Sequence, residues 1–138
     1  AALIEAGGDI ALFGAPVGTA ANARGWRVAV PGAGPDSVLV LTAGAVSTSG
    51  PSMQWNARRD GARESHVIDP RTGHGAVDGR SITVVGPSAA ITDALATALT
   101  LVPAPQMAAL AARYGVRIVS GDVPILRPAS SPTFRDRT

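Results

Sequence analysis

The apolar pattern of this chain changes period once, and the change falls at Gly86-Pro87. Upstream, apolar residues come in short runs or alternate with polar ones, which is strand spacing. Downstream, Ile91, Ala94, Leu95, Ala98, Leu99 and Val102 recur at i, i+3, i+4, i+7, i+8 and i+11, the stripe of an amphipathic helix. Strands first and helices last point to an α+β fold rather than to alternating βαβ units. The expected architecture is therefore a mostly antiparallel sheet with two helices in the C-terminal third.

The strands are bounded by turn residues. Residues 9–13 lie between Gly7-Gly8 and Gly14, and residues 26–30 alternate until Pro31 stops them. Residues 37–41 and 45–48 are expected as short strands joined at Ala43-Gly44. Residues 53–59 and 62–68 flank Asp60-Gly61, the strongest short hairpin signal in the chain. Residues 80–85 form the last strand before the change of period. The first helix, 88–102, has Ser88 or Thr92 as its cap and Pro103 as its stop. A second runs from about Pro105 to Tyr114 and ends at Gly115. Residues 116–119 and 123–126 are expected to pair across Ser120-Gly121-Asp122. Residues 1–127 read as one unit, with 128–138 a frayed tail rich in Ser, Pro and charge.

The residue types that are missing exclude whole chemistries. All 12 basic residues of this 138-residue chain are arginine, and there is no cysteine. No Schiff base, Walker phosphate loop, thiolate nucleophile or zinc–thiolate site can form. A net charge of +2 is not the footprint of a polyanion binder, so nucleic acid is not an expected partner. No run approaches the length of a membrane span. What remains is oxygen chemistry, with His66 and His74 as the only imidazoles.

Two segments concentrate that chemistry. In His66-Val67-Ile68-Asp69-Pro70-Arg71-Thr72-Gly73 a strand delivers a histidine and an aspartate into a turn. Neutral imidazole can accept a proton near pH 7, while His66 can equally be a core or surface residue. Asp69 can serve a ligand, or simply cap its own turn with Arg71 paired to it. In Thr92-Asp93-Ala94-Leu95-Ala96-Thr97, Asp93 and Thr97 are one helical turn apart and share a face. The non-apolar side of that helix (Thr92, Ala96, Thr97, Thr100) looks packed, so Asp93 is expected to need a partner. Carboxylate plus hydroxyl suits a hard cation such as Mg²⁺. Gly7-Gly8-Asp9 permits close approach of a ligand or makes a plain tight turn. Thr48 and Ser49, after Ser47, can rim a phosphate or merely end a strand.

In order, these segments are Gly7-Gly8-Asp9, Gly25-Trp26-Arg27-Val28, Thr48-Ser49-Gly50, His66 to Gly73, Ser81-Ile82-Thr83-Val84-Val85 and Asp93-Ala94-Leu95-Ala96-Thr97-Ala98. From about Leu3 to Val119 the succession resembles the C-terminal half of the FAD:protein FMN transferase (ApbE) family. The resemblance implies a Mg²⁺-dependent enzyme that takes FMN from FAD, attaches it to a Thr or Ser hydroxyl of an acceptor protein and releases AMP. The alternatives are an FAD pyrophosphatase yielding FMN and AMP, or a non-catalytic flavin-binding or structural subunit. By the same resemblance Asp93 and Thr97 match the side-chain metal ligands, and His66 is the general base. Ile68 and the turn after it, with Asp69, match a flavin-nucleotide contact, to which Thr48, Ser49, Gly7 and Gly8 are added as the cofactor-binding set.

The chain departs from the family pattern at His74-Gly75-Ala76, where an aromatic and a proline are usual, and at Pro51-Ser52-Met53-Gln54. The family's upstream Gly-Lys-Gly segment is absent. A missing N-terminal half, on the same or another polypeptide, is therefore an expected partner, and the metal site is expected to be incomplete in this chain alone. A bacterial source is expected, cytoplasmic or cell-envelope, with neither a leader nor a lipobox cysteine in view.

Overall fold

The computed structural model describes residues 1–16, 25–31, 37–50, 55–57, 63–76 and 80–119. Among the described residues five strands make the main sheet: β1 (Ala2–Ala6), β2 (Asp9–Phe13), β5 (Ala43–Ser49), β10 (Ile82–Gly86) and β11 (Arg117–Val119), in spatial order β1-β2-β5-β10-β11. Every pairing in it is antiparallel. A ribbon of β3 (Trp26–Ala29) and β4 (Val38–Leu41) is separate from that sheet, as are the short pairs β6 (Trp55–Ala57) with β7 (Arg63–Ser65) and β8 (Ile68–Asp69) with β9 (His74–Gly75). Two helices follow β10: α1 (Ala89–Leu101) and α2 (Ala104–Arg113). The α+β class expected from the change of period is the one observed.

Strand alternation sends side chains to two cores, one on each face of the sheet. Ile82, Val84 and Ile118 point to one face, where Leu95, Ala96, Leu99, Met107 and Ala111 of the helices cover them. Val85 and Val119, one residue out of phase, point to the other with Leu12 and Val46. There Val28, Val30, Leu39 and Leu41 of the β3–β4 ribbon close the second core. Trp26 packs against this cluster and donates its indole N–H to the carbonyl of Gly14 at 2.7 Å. That is a packing role.

Several local expectations are met for identifiable reasons. The pair Ala6↔Asp9 leaves two residues between β1 and β2, Gly7 and Gly8, with φ of 65° and 96°. Two successive positive φ values are what a two-residue hairpin turn of this hand requires, and glycine takes them without strain. Helix α2 ends before Gly115, whose φ is 63°.

Three expectations are corrected. Residues 37–41 and 45–48 are strands as expected but are joined at Thr42 rather than at Ala43-Gly44: the chain bends there, β5 already includes Ala43 and Gly44, and β4 belongs to the ribbon while β5 lies in the main sheet. Residues 62–68 are not one strand. It breaks at His66-Val67, and Ile68 and Asp69 pair instead with Gly75 and His74. The hairpin of β6 and β7 is present, with Ala57 opposite Arg63 and five residues between them. Asp60-Gly61 falls in that connection, outside the described residues, as do residues 51–54, the expected strand 123–126 and the 128–138 tail.

The third correction concerns the rotation of α1. Its buried residues are Thr92, Leu95, Ala96, Leu99 and Thr100, while Ile91 and Ala94 of the expected stripe are exposed. Ser88 occupies the N-cap without a side-chain cap bond, and the first helical hydrogen bond runs from the Thr92 N–H to its carbonyl at 2.9 Å. Thr92 is thus packed inward rather than capping. Leu99 is fully buried and Ile91 is 36% exposed. Leu99→Ala should accordingly cost about 2–5 kcal/mol in urea unfolding, whereas Ile91→Ala should stay within about 0.5 kcal/mol of wild type. Equal losses at the two positions would contradict this orientation of the helix.

Candidate functional site

A cleft of about 330 Å³ opens where β5 ends, at the level of the β1–β2 turn. Ile10, Val28 and Val46 form its apolar floor, and Gly7, Gly8, Thr48, Ser49, Gly50 and His66 line it along with Ala29 and Pro31. The register explains the convergence. Ile10 lies opposite Val46, so the Gly7-Gly8 turn continues alongside the last residues of β5. Five residues singled out in the sequence therefore meet in one place: Gly7, Gly8, Thr48, Ser49 and His66. The floor residues escaped sequence reading, because nothing in the sequence of β3 announces that its end will face the end of β5.

Hydroxyl groups on β5 are fixed on alternating faces. Thr48 lies opposite Thr83, and their hydroxyls are 2.9 Å apart on the cleft face. Ser47 and Ser49 point toward α1. Ser47 Oγ is 2.9 Å from Thr92 Oγ1, in the interior. Thr97 Oγ1 donates to Ser49 Oγ at 3.3 Å. Ser49 thus touches both the cleft and the helix that carries Asp93. Gly50 follows, and a Cβ there would come within 2.6 Å of the Ser81 Cα, so the backbone passes Ser81 at a distance only glycine allows.

Asp93 is exposed, which corrects the expectation of a packed position. The packed side of α1 is built from threonines that satisfy their own hydroxyls: Thr92 Oγ1 donates to the Ala89 carbonyl at 3.1 Å and Thr100 Oγ1 to the Thr97 carbonyl at 2.7 Å. Asp93 sits one turn before Thr97 at the rim of that side, and no described residue pairs with its carboxylate. The donor set fits a hard cation in kind, being all oxygen, with the Thr97 proton directed to Ser49 so that its lone pairs stay available. It does not fit in number. Among the described residues no three His, Asp or Glu side chains gather as a metal-binding group.

Ile68 and Asp69 do not line the cleft. Ile68 is 52% exposed, because the break at His66-Val67 leaves both it and His66 facing outward, with Val67 buried between them. Asp69 is engaged by its own turn. Asp69 Oδ1 accepts from the Arg71 backbone N–H at 2.9 Å and from Arg71 Nε at 2.9 Å, and Oδ2 accepts from Nη2 at 2.7 Å. The Thr72 and Gly73 N–H groups bond to the Asp69 carbonyl at 3.1 and 2.8 Å. The Arg71 side-chain bonds, then its backbone bond, hold the Asp69 carboxyl below the usual carboxylate range. That stabilisation is complete above the ordinary carboxylate pKa and is lost as pH falls through the lowered one. Beside this turn, His74 Nδ1 lies 3.6 Å from Glu64 Oε1, which also accepts the Gly75 N–H.

The sequence profile described as the ApbE family matches residues 1–119. The FAD:protein FMN transferase of Rhodobacter capsulatus is 34% identical over 122 residues, covering 86% of this chain and 22% of that protein. The crystal structure of an ApbE protein from Thermotoga maritima superposes with a TM-score of 0.69 at 29% identity, over 93% of this chain and 42% of that one. The flavin transferase ApbE of Vibrio cholerae gives a TM-score of 0.62 at 30% identity, over 86% of this chain and 37% of its own. This chain therefore spans about a fifth of the curated relative and about two-fifths of the solved ones. With profile, identity and fold in agreement, the chain belongs to the ApbE family.

Proposed function

We propose that this chain supplies one side of the active site of a Mg²⁺-dependent flavin transferase, which moves FMN from FAD to a Thr or Ser hydroxyl of an acceptor protein. The observation that carries the reading is the convergence of Gly7, Gly8, Thr48, Ser49 and His66 on one cleft, in a family whose curated relative is named for this transfer. At about 330 Å³ the cleft is at the lower end of small-molecule sites, which run to about 1,000 Å³. It suits part of a dinucleotide, leaving the remainder to the rest of an ApbE domain. The relatives are bacterial, which supports a bacterial source. Among the described residues no helix is long and apolar enough to cross a membrane.

In this reaction the acceptor oxygen attacks the phosphorus on the FMN side of the FAD pyrophosphate. An oxygen–phosphorus bond forms there, the bond to the bridging oxygen breaks, and AMP leaves with that oxygen. The hydroxyl proton passes to the imidazole of His66, exposed beside the cleft. Asp93 and Thr97 would hold Mg²⁺, which neutralises charge on the pyrophosphate when bound. Ser49 accepts the Thr97 hydroxyl hydrogen bond, which leaves that oxygen's lone pairs for the cation. The Gly7-Gly8 turn brings backbone, free of side chains, to the rim.

Two variants of the complete transferase test this, read by the FMN mass added to the acceptor and by AMP release. His66→Gln keeps hydrogen-bonding capacity but loses the titrating proton, so transfer should fall by about 10²–10⁴-fold with FAD affinity near normal. Asp93→Ala should abolish Mg²⁺-dependent turnover without lowering the melting temperature, since the carboxylate is exposed. AMP released without FMN on the acceptor would make the protein an FAD pyrophosphatase. Neither product would leave it a flavin-binding or structural subunit.

A further inference from the structure

The turn that follows His66 reaches the far end of the helix that carries Asp93 and Thr97. Arg71 Nη2, already bonded to Asp69 Oδ2 at 2.7 Å, also donates to the carbonyl of Leu101 at 3.3 Å. Leu101 is the last residue of α1, one turn beyond Thr97. Its carbonyl is one of the acceptors that a helix C-terminus leaves unpaired within the helix, and the negative end of the helix dipole lies there. Helix α1 carries no basic residue in its own last turn. A guanidinium from a different element fills that role.

We propose that Arg71 is a positioning residue that clamps the His66 turn to the C-terminus of α1, holding the proton acceptor in register with Asp93 and Thr97. This rests on the flavin-transferase reading for its catalytic consequence, though the clamp itself is a property of the fold. The geometry suits arginine. Its planar fork meets both carboxylate oxygens of Asp69 through Nε and Nη2, and Nη2, which carries two protons, also reaches the Leu101 carbonyl. The turn is prepared for this role by its backbone. Asp69 accepts the Thr72 and Gly73 N–H groups, and the Ala76 N–H bonds the Val67 carbonyl at 2.9 Å, so residues 67–76 form a closed loop on which Arg71 stands. The Asp69 carboxylate, 14% exposed, orients the guanidinium instead of facing the cleft. Two motifs distant in sequence are thereby joined by one side chain.

The test combines hydrogen exchange on this chain with kinetics of the complete enzyme, using Arg71→Ala, Arg71→Lys and Asp69→Asn. Arg71→Ala should speed amide exchange in residues 66–76 and in the last turn of α1 by about tenfold, the equivalent of one broken charged hydrogen bond. It should lower kcat by about 10–10²-fold, the scale of a displaced catalytic group, with KM for FAD unchanged. Arg71→Lys should recover part of both effects, since it keeps the charge and loses the fork, and Asp69→Asn should reproduce the exchange effect more weakly. Unchanged exchange in Arg71→Ala would overturn the clamp. So would a raised KM for FAD with normal kcat, which would make the turn a flavin contact. A His66→Gln enzyme of full activity would instead defeat the transferase reading, and the exchange result would still judge the clamp by itself.

Discussion

The buried hydroxyl pair Ser47–Thr92 decides how α1 lies on the sheet, and the site follows from that. The two residues are 45 apart in sequence and their oxygens are 2.9 Å apart, with both side chains essentially inaccessible. Thr92 spends its proton on the Ala89 carbonyl, so Ser47 donates to Thr92. Rotating α1 to bury Ile91 instead would strand a hydroxyl, at about 1–3 kcal/mol for each unsatisfied buried group. With Thr92 inward, Asp93 comes to the rim and Thr97, one turn on, meets Ser49. Gly86, opposite Ala45 at the other end of the strand pair, admits the helix this closely: a Cβ there would lie 2.8 Å from Val116 Cγ1 and 3.1 Å from Thr92 Cγ2.

Strand β5 carries this arrangement because it is paired on both sides, with β2 and with β10. Its alternation gives Val46 and Thr48 to the ribbon side and Ser47 and Ser49 to the helix side. One short strand thus presents hydroxyls to both a cleft and a helix. The same alternation keeps the two apolar cores apart, so the polar end of β5 falls at the margin of each rather than inside either.

Much of this was legible in the sequence where a local rule had no competitor. The turn at Gly7-Gly8, the end of α2 at Gly115 and the change from strands to helices all follow from backbone chemistry. The apolar period alone puts Ile91 and Ala94 of α1 inward, because threonine counts as polar in such a pattern, whereas the small-residue side of Thr92, Ala96, Thr97 and Thr100, which looks packed in the sequence, is the side that is buried. Threonine is buried here since each hydroxyl finds a partner across or along the helix. The strand expected through Ile68 failed because Asp69-Pro70 makes its own turn, and the pairing with His74 and Gly75 won over continuation. The cleft was half legible. Its glycine and hydroxyl rim could be named, whereas its floor depends on how two separate sheets stack, which no single segment encodes.

In the proposed function the cleft and α1 form one side of a two-sided site. On that reading only two oxygen-bearing side chains of this chain, Asp93 and Thr97, would meet a cation that takes about six ligands, and the chain spans 42% of its Thermotoga maritima relative. The direct measurement is reconstitution. The purified chain is incubated with FAD, Mg²⁺ and an acceptor protein, with and without the complementary ApbE segment, and the acceptor is weighed by mass spectrometry. FMN should appear on the acceptor only when both segments are present. Transfer by the 138-residue chain alone would contradict a two-sided site.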